Sequence, residues 1–148
     1  MSEIKKALAP PSSCFVFANI ANPDMIGHTG NITSAIYALE IVDWALGEIG
    51  KAVRSSGGML LITGDHGNVE EMMDAEDGVF STHHSKNPVP FLLWIHPKKN
   101  FSLRHDGALS DVAPTILELL HVGKPTEMTG KSLLNKKKHN VNRNKKTS

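Results

Sequence analysis

Apolar residues recur at three- and four-residue spacing through the middle of the chain: Ile32, Ala35, Ile36, Leu39, Val42, Leu46, Ile49 and Val53. That period predicts one helix over 32–54 whose apolar stripe is core. Gly47 and Gly50 weaken it, and Ser55-Ser56-Gly57-Gly58 ends it. A second stripe, Val112, Ile116, Leu119 and Leu120, predicts a helix over 111–121 with Ser110 or Asp111 as its cap. Three apolar runs are of strand length: 14–20, 59–63 and 89–95, the last edged by Pro88, Pro90 and Pro97. Residues 3–8 read as the end of a helix stopped by Pro10-Pro11, and 65–87 as a long loop with a helical turn at 69–73. The order strand, helix, strand, loop, strand, helix predicts an α/β layer with a largely parallel sheet. Ligands of such sheets gather at the carboxyl ends of strands.

Polar residues interrupt this pattern at three informative places. Asp24-x-x-x-His28 follows the first apolar run, Asp65-His66 follows the second between Gly64 and Gly67, and His84 lies further along the loop. If 24–28 make one helical turn, Asp24 and His28 project the same way. Glycines at 64 and 67 let the backbone bend sharply enough for adjacent side chains to reach one ion. Each cluster alone also has the composition of a surface turn, and His83 competes with His84. Together they form a carboxylate–imidazole set that suits Mn²⁺ or Zn²⁺ better than Ca²⁺. Such a set reads as a two-metal centre handling phosphate. Five candidates do not complete two sites of three or four ligands without sharing or water. His96, His105, His121 and His139 lack comparable acidic or glycine context.

Composition narrows the chemistry. No nucleophile elbow, Walker A loop or dinucleotide glycine pattern occurs. Arginine is limited to Arg54, Arg104 and Arg143, fewer than phosphate recognition normally recruits. Cys14 is the only cysteine and falls in the first predicted strand, as core; no internal disulfide is possible and the expected compartment is the cytoplasm. No apolar run approaches the roughly 18–20 residues that span a bilayer. All 15 acidic residues precede residue 128, whereas seven of the 16 basic ones, Lys131, Lys136, Lys137, Lys138, Arg143, Lys145 and Lys146, follow it. An acidic body over 1–134 and a basic, disordered tail over 135–148 are expected. The tail reads as a solvated terminus rather than a nucleic-acid arm.

Four stretches carry a resemblance: 17–30 with Asn22-Pro23-Asp24-Met25-Ile26-Gly27-His28-Thr29-Gly30, 62–72 with Gly64-Asp65-His66-Gly67-Asn68, His84-Ser85-Lys86-Asn87-Pro88-Val89-Pro90, and Glu127-Met128-Thr129-Gly130-Lys131-Ser132-Leu133. They resemble cofactor-independent (2,3-bisphosphoglycerate-independent) phosphoglycerate mutase, of the alkaline phosphatase superfamily. Residues 109–117 resemble that family's last helix. The resemblance runs from about residue 14 to residue 134 and implies the C-terminal portion of a three-layer phosphatase domain. It also implies a dinuclear Mn²⁺ site. Asp24, His28 and His84 match the ligands of the first ion, and Asp65 and His66 match two ligands of the second, which stays incomplete. His84 rather than His83 takes the role because it directly precedes Ser85-Lys86-Asn87-Pro88. In the family a serine accepts the phosphoryl group during interconversion of 3-phosphoglycerate and 2-phosphoglycerate in glycolysis. That serine, a further Asp ligand and the substrate-binding residues have no match here, so no catalytic residue is assigned and the chain alone is expected to be inactive. Two alternatives stand beside this: a metal-binding subunit complementing a separate N-terminal mutase half, and an inactive remnant.

Overall fold

Asn31 opens the longest helix of the protein, its side-chain oxygen accepting the Ser34 N–H at 2.9 Å. This and all other geometry come from a computed structural model that describes residues 2–9, 14–73, 80–95 and 101–135. Pro10-Pro11, His96, His139 and residues 136–148 of the expected tail lie outside the described residues. The chain divides into two compact units, 1–99 and 100–148.

The first unit contains helices α1 (Ser2–Ala7), α2 (Asn22–Gly27) and α3 (Ile32–Ser56), then strands β1 (Met59–Thr63) and β2 (Phe91–Ile95). Pro23 fits the first turn of α2, where its missing N–H costs nothing. At the other end of α3, Gly57 takes the left-handed conformation (φ 69°), and Gly58 N–H returns to the Val53 carbonyl at 3.0 Å. A helix was expected over 32–54 and forms over Ile32–Ser56, but only part of the expected stripe is core. Ala35, Ala38, Ala45, Ile49 and Val53 are buried, whereas Ile36 and Leu39 are exposed, as are Tyr37, Ile41 and Trp44. Alternation at 3.6 residues marks an apolar arc, and α3 packs against α2, β1 and α1 along only one side of it.

The sheet corrects the expected topology. The α/β class holds, but β1 and β2 pair antiparallel, from Met59↔Ile95 to Thr63↔Phe91. A parallel return needs a crossover, usually a helix. Residues 64–90 supply only a 3-10 turn at Val69–Glu71 among their described residues, so the chain comes back along the strand it left. The expected strand over 14–20 is also absent: these residues join no ladder among the described residues, and Phe15 and Phe17 are exposed. An apolar run becomes a strand only when a second backbone answers its N–H and C=O groups. Cys14, expected in the core, is exposed, its Sγ 3.1 Å from the Ala7 carbonyl.

The second unit is built on a 3-10 turn, Leu109–Asp111, that runs into helix α4, Val112–Leu119. The helix is shorter than the expected 111–121 because His121 adopts a left-handed backbone (φ 57°). Thr115 is fully buried. Its hydroxyl donates to the Asp111 carbonyl at 2.7 Å and accepts the Leu133 N–H at 2.8 Å. Arg104 closes the unit by donating to Asp111 Oδ2 at 2.6 Å and to the carbonyls of Asp106, Ser132 and Lys131.

Candidate metal centre

The antiparallel hairpin decides where the histidines fall. The carboxyl end of β1 and the start of β2 lie at one edge of the sheet, so the loop joining them begins and ends there. That loop carries Asp65, His66 and His84. It is tied across itself by the isolated bridge Gly67↔Ser85, with Ser85 N–H donating to the Gly67 carbonyl at 2.9 Å. Helix α2 brings the other half. One helical turn separates Asp24 from His28, and their Oδ1 and Nε2 atoms are 3.3 Å apart.

Three segments therefore converge on Asp24 Oδ1. His28 Nε2 lies at 3.3 Å, His84 Nε2 at 3.2 Å and His66 Nε2 at 4.0 Å. His28 Nε2 and His84 Nε2 are 3.1 Å apart. The His66 and His84 rings stack with centroids 3.6 Å apart and planes 16° from parallel. Asp24, His66 and His84 each offer a donor atom within 4.8 Å of the others. Asp65, by contrast, is 82% exposed; its Oδ2 comes to 3.7 Å of His66 and it stays outside that triad. His83, His105 and His121 do not enter the triad either, and His28 joins the cluster through Asp24 Oδ1 and His84 Nε2 rather than as a member of that triad.

Hydrogen bonding fixes the tautomers. His28 Nδ1 is 2.6 Å from the Thr82 carbonyl and His66 Nδ1 is 3.3 Å from the Gly67 carbonyl. A carbonyl only accepts, so Nδ1 carries the proton and the neutral ring keeps its lone pair on Nε2. Two such lone pairs and an ionised carboxylate face one small volume. Burial works against ionisation of Asp24, but the Asn68 amide and, when their rings are protonated, the imidazolium charges of His28, His84 and His66 outweigh it and hold the carboxyl below its ordinary range. Neighbouring ligands about 2.1 Å from one first-row ion stand roughly 3.0–3.4 Å apart. The Asp24, His28 and His84 atoms have that spacing, so the donor set fits a divalent ion, with the His28 imidazole oriented through Nδ1 as metal-bound histidines are.

Sequence reasoning assigned no role to the residues behind these ligands. Asn68, buried, donates from Nδ2 to Asp24 Oδ1 at 2.6 Å. Its backbone N–H donates to Glu70 Oε2 at 2.8 Å. Glu70 Oε1 accepts from Ser85 Oγ and, at 3.2 Å, from Asn87 Nδ2. The Ser85 hydroxyl foremost, with backbone N–H groups and the Asn87 amide, lowers the Glu70 carboxyl to about 2 against the opposing effect of burial. Polar residues flanking Gly67 in a ligand-bearing loop were the available signal.

Carboxylate and imidazole donors at metal-ligand spacing, on an α/β scaffold, make a candidate metal centre of a kind metalloenzymes use. The chain belongs to the Metalloenzyme superfamily, which matches residues 1–124. Among its relatives, the 2,3-bisphosphoglycerate-independent phosphoglycerate mutase of Thermomicrobium roseum is 48% identical over 132 residues, 87% of this chain and 25% of that protein. The enzyme of the same name from Desulforudis audaxviator is 54% identical over 119 residues, 80% of this chain and 23% of its own length. A solved phosphoglycerate mutase of Leishmania mexicana, determined at low cobalt concentration, superposes with a TM-score of 0.80 and 29% identity over 90% of this chain and 27% of that one. The fold is thus the alkaline-phosphatase-like one of that mutase, and the chain is a partial, mutase-like region. It spans about a quarter of the length of the curated relatives it matches.

Proposed function

We propose that this chain is the metal-holding part of a 2,3-bisphosphoglycerate-independent phosphoglycerate mutase, working in the cytoplasm on the glycolytic interconversion of 3-phosphoglycerate and 2-phosphoglycerate. The observation that carries the reading is the convergence of Asp24, His28 and His84 within 3.1–3.3 Å of one another from α2 and the hairpin loop. These three would hold one ion. Asp65 and His66 would contribute to a second, whose remaining ligands belong to mutase sequence without a counterpart in this chain. Mn²⁺ suits the donors, which are one hard carboxylate oxygen and borderline imidazole nitrogens. When bound, the metal supplies positive charge against the transferring phosphoryl group. The chain's own residues orient that charge: Thr82 and Gly67 fix the imidazole tautomers, and Asn68 fixes the carboxylate.

Phosphate recognition by arginine is weakly provided for. The guanidinium of Arg104 is already committed to Asp111 and to backbone carbonyls, so on this reading it is structural. The purified chain should therefore bind Mn²⁺ in calorimetry yet fail to convert 3-phosphoglycerate. Adding a separately expressed N-terminal mutase fragment should restore turnover. Turnover by the chain alone would refute the partial-site reading, and absence of Mn²⁺ binding would refute the metal assignment. Metal binding without complementation would leave the remnant reading standing instead.

A further inference from the structure

We propose that Glu70 is a positioning residue: its carboxylate clasps the two arms of the hairpin loop and so sets His66 and His84 against Asp24. This goes beyond the ligand assignment above and rests on it only where metal affinity is concerned. The clasp has three connections. Oε2 takes the backbone N–H of Asn68, two residues from His66. Oε1 takes the hydroxyl of Ser85, the neighbour of His84. Asn68, held by the first bond, passes the constraint to α2 by donating to Asp24 Oδ1 at 2.6 Å. One side chain thus links all three segments of the centre without touching a ligand.

The packing around it is independent evidence that the arrangement is tight. A methyl group at Gly67 would overlap both Ser85 Oγ and Glu70 Oε1, and one at Gly27, at the end of α2, would overlap the Asn68 side-chain oxygen. Those atoms could move aside only by breaking the bonds just described. Glu71, on the same 3-10 turn, is a natural control. Its Oε2 accepts from Asn87 Nδ2 at 2.7 Å, and its carboxylate makes neither the Asn68 nor the Ser85 connection. A carboxamide at position 70 keeps the shape but cannot accept on both terminal atoms.

The stacking of His66 on His84 gives a readout that needs no metal. In the metal-free full chain, ring-proton NMR shifts of both histidines should carry mutual ring-current displacements. In Glu70→Gln these should shrink toward free-histidine values, while Glu71→Gln leaves them in place. For Mn²⁺, the dissociation constant of Glu70→Gln should rise by about 10–100-fold, the usual effect of removing support behind a ligand, with the metal-free circular dichroism unchanged. Ser85→Ala cuts only one arm and should reproduce both effects in part, and Ser85→Thr, keeping the hydroxyl, should restore them. It also decides the question if Glu70→Gln does not fold. Unchanged ring shifts in Glu70→Gln, or an equal loss in Glu71→Gln, overturn the proposal. A wild-type chain that binds no Mn²⁺ defeats the metal reading alone, because the ring shifts still judge the clasp.

Discussion

Asp24 Oδ1 is the atom to which all three imidazoles of the centre are referred, so its removal should dissolve the site rather than loosen it. Asp24→Ala is expected to weaken Mn²⁺ binding by more than about 100-fold, beyond the effect of a supporting residue, whereas His83→Ala leaves the calorimetric isotherm unchanged. A second carboxylate governs the other unit. The backbone N–H groups of Lys131 and Ala108, and Arg104 after them, hold Asp111 below its ordinary carboxylate range despite its burial. A depressed folded value means the ionised form stabilises the fold at pH above the unfolded value near about 4. That contribution is lost as pH falls through the lower folded value. Protection of the Leu133 amide should therefore collapse in acid, and Asp111→Asn should abolish that acid transition while lowering stability at neutral pH, since it removes the carboxylate charge that Arg104 meets at 2.6 Å. Candidate ligands such as Asp24, His28 and His84 could be named from the sequence because residue type, spacing and the resemblance all point to them. Thr82 was not, since its contribution is a backbone carbonyl. Asn68 was not, since it meets Asp24 only across 44 residues of fold.

Elements differ in how far pattern alone describes them. The extent of α3 followed from its period and its glycine end, and the cap can be tested directly. Gly57→Ala, at φ 69°, should destabilise the helix by about 1 kcal/mol, read as a lower urea midpoint of the helical circular dichroism signal. The face of α3 that is buried did not follow, because a stripe names an arc and not its partner. Strand direction was misread for a related reason. Counting β1, loop and β2 as one more α/β repeat suggested a parallel sheet, yet 64–90 held no helical period to serve as a crossover. The antiparallel return, which sequence reasoning missed, is what brings His66 and His84 to the same edge.

At the scale of the whole molecule, the packed side of α3 contrasts with its open one. Tyr37 is 65% and Trp44 62% exposed, and Tyr37 and Ile41 line an apolar groove of about 460 Å³ with Ile26 and Ala38. Contiguous apolar surface of this kind drives association. The double substitution Ile41→Lys, Trp44→Lys should raise the soluble, monomeric fraction in sedimentation without reducing helix content. Among the described residues no helix is long and apolar enough to cross a membrane. The mutase relationship was legible from four short stretches, three of which carry the candidate ligands and their turns.

The candidate metal centre also sets an order of assembly. His28 meets His84 across 56 residues, while α3 and its capping bonds close over three to five. Entropy lost in closing long loops must be met before distant contacts return anything, so local structure forms first. The ability to take up metal is then gained at the end of folding, not during it. In stopped-flow refolding with Co²⁺ as an optical reporter, the visible absorbance should lag behind the far-ultraviolet signal of α3.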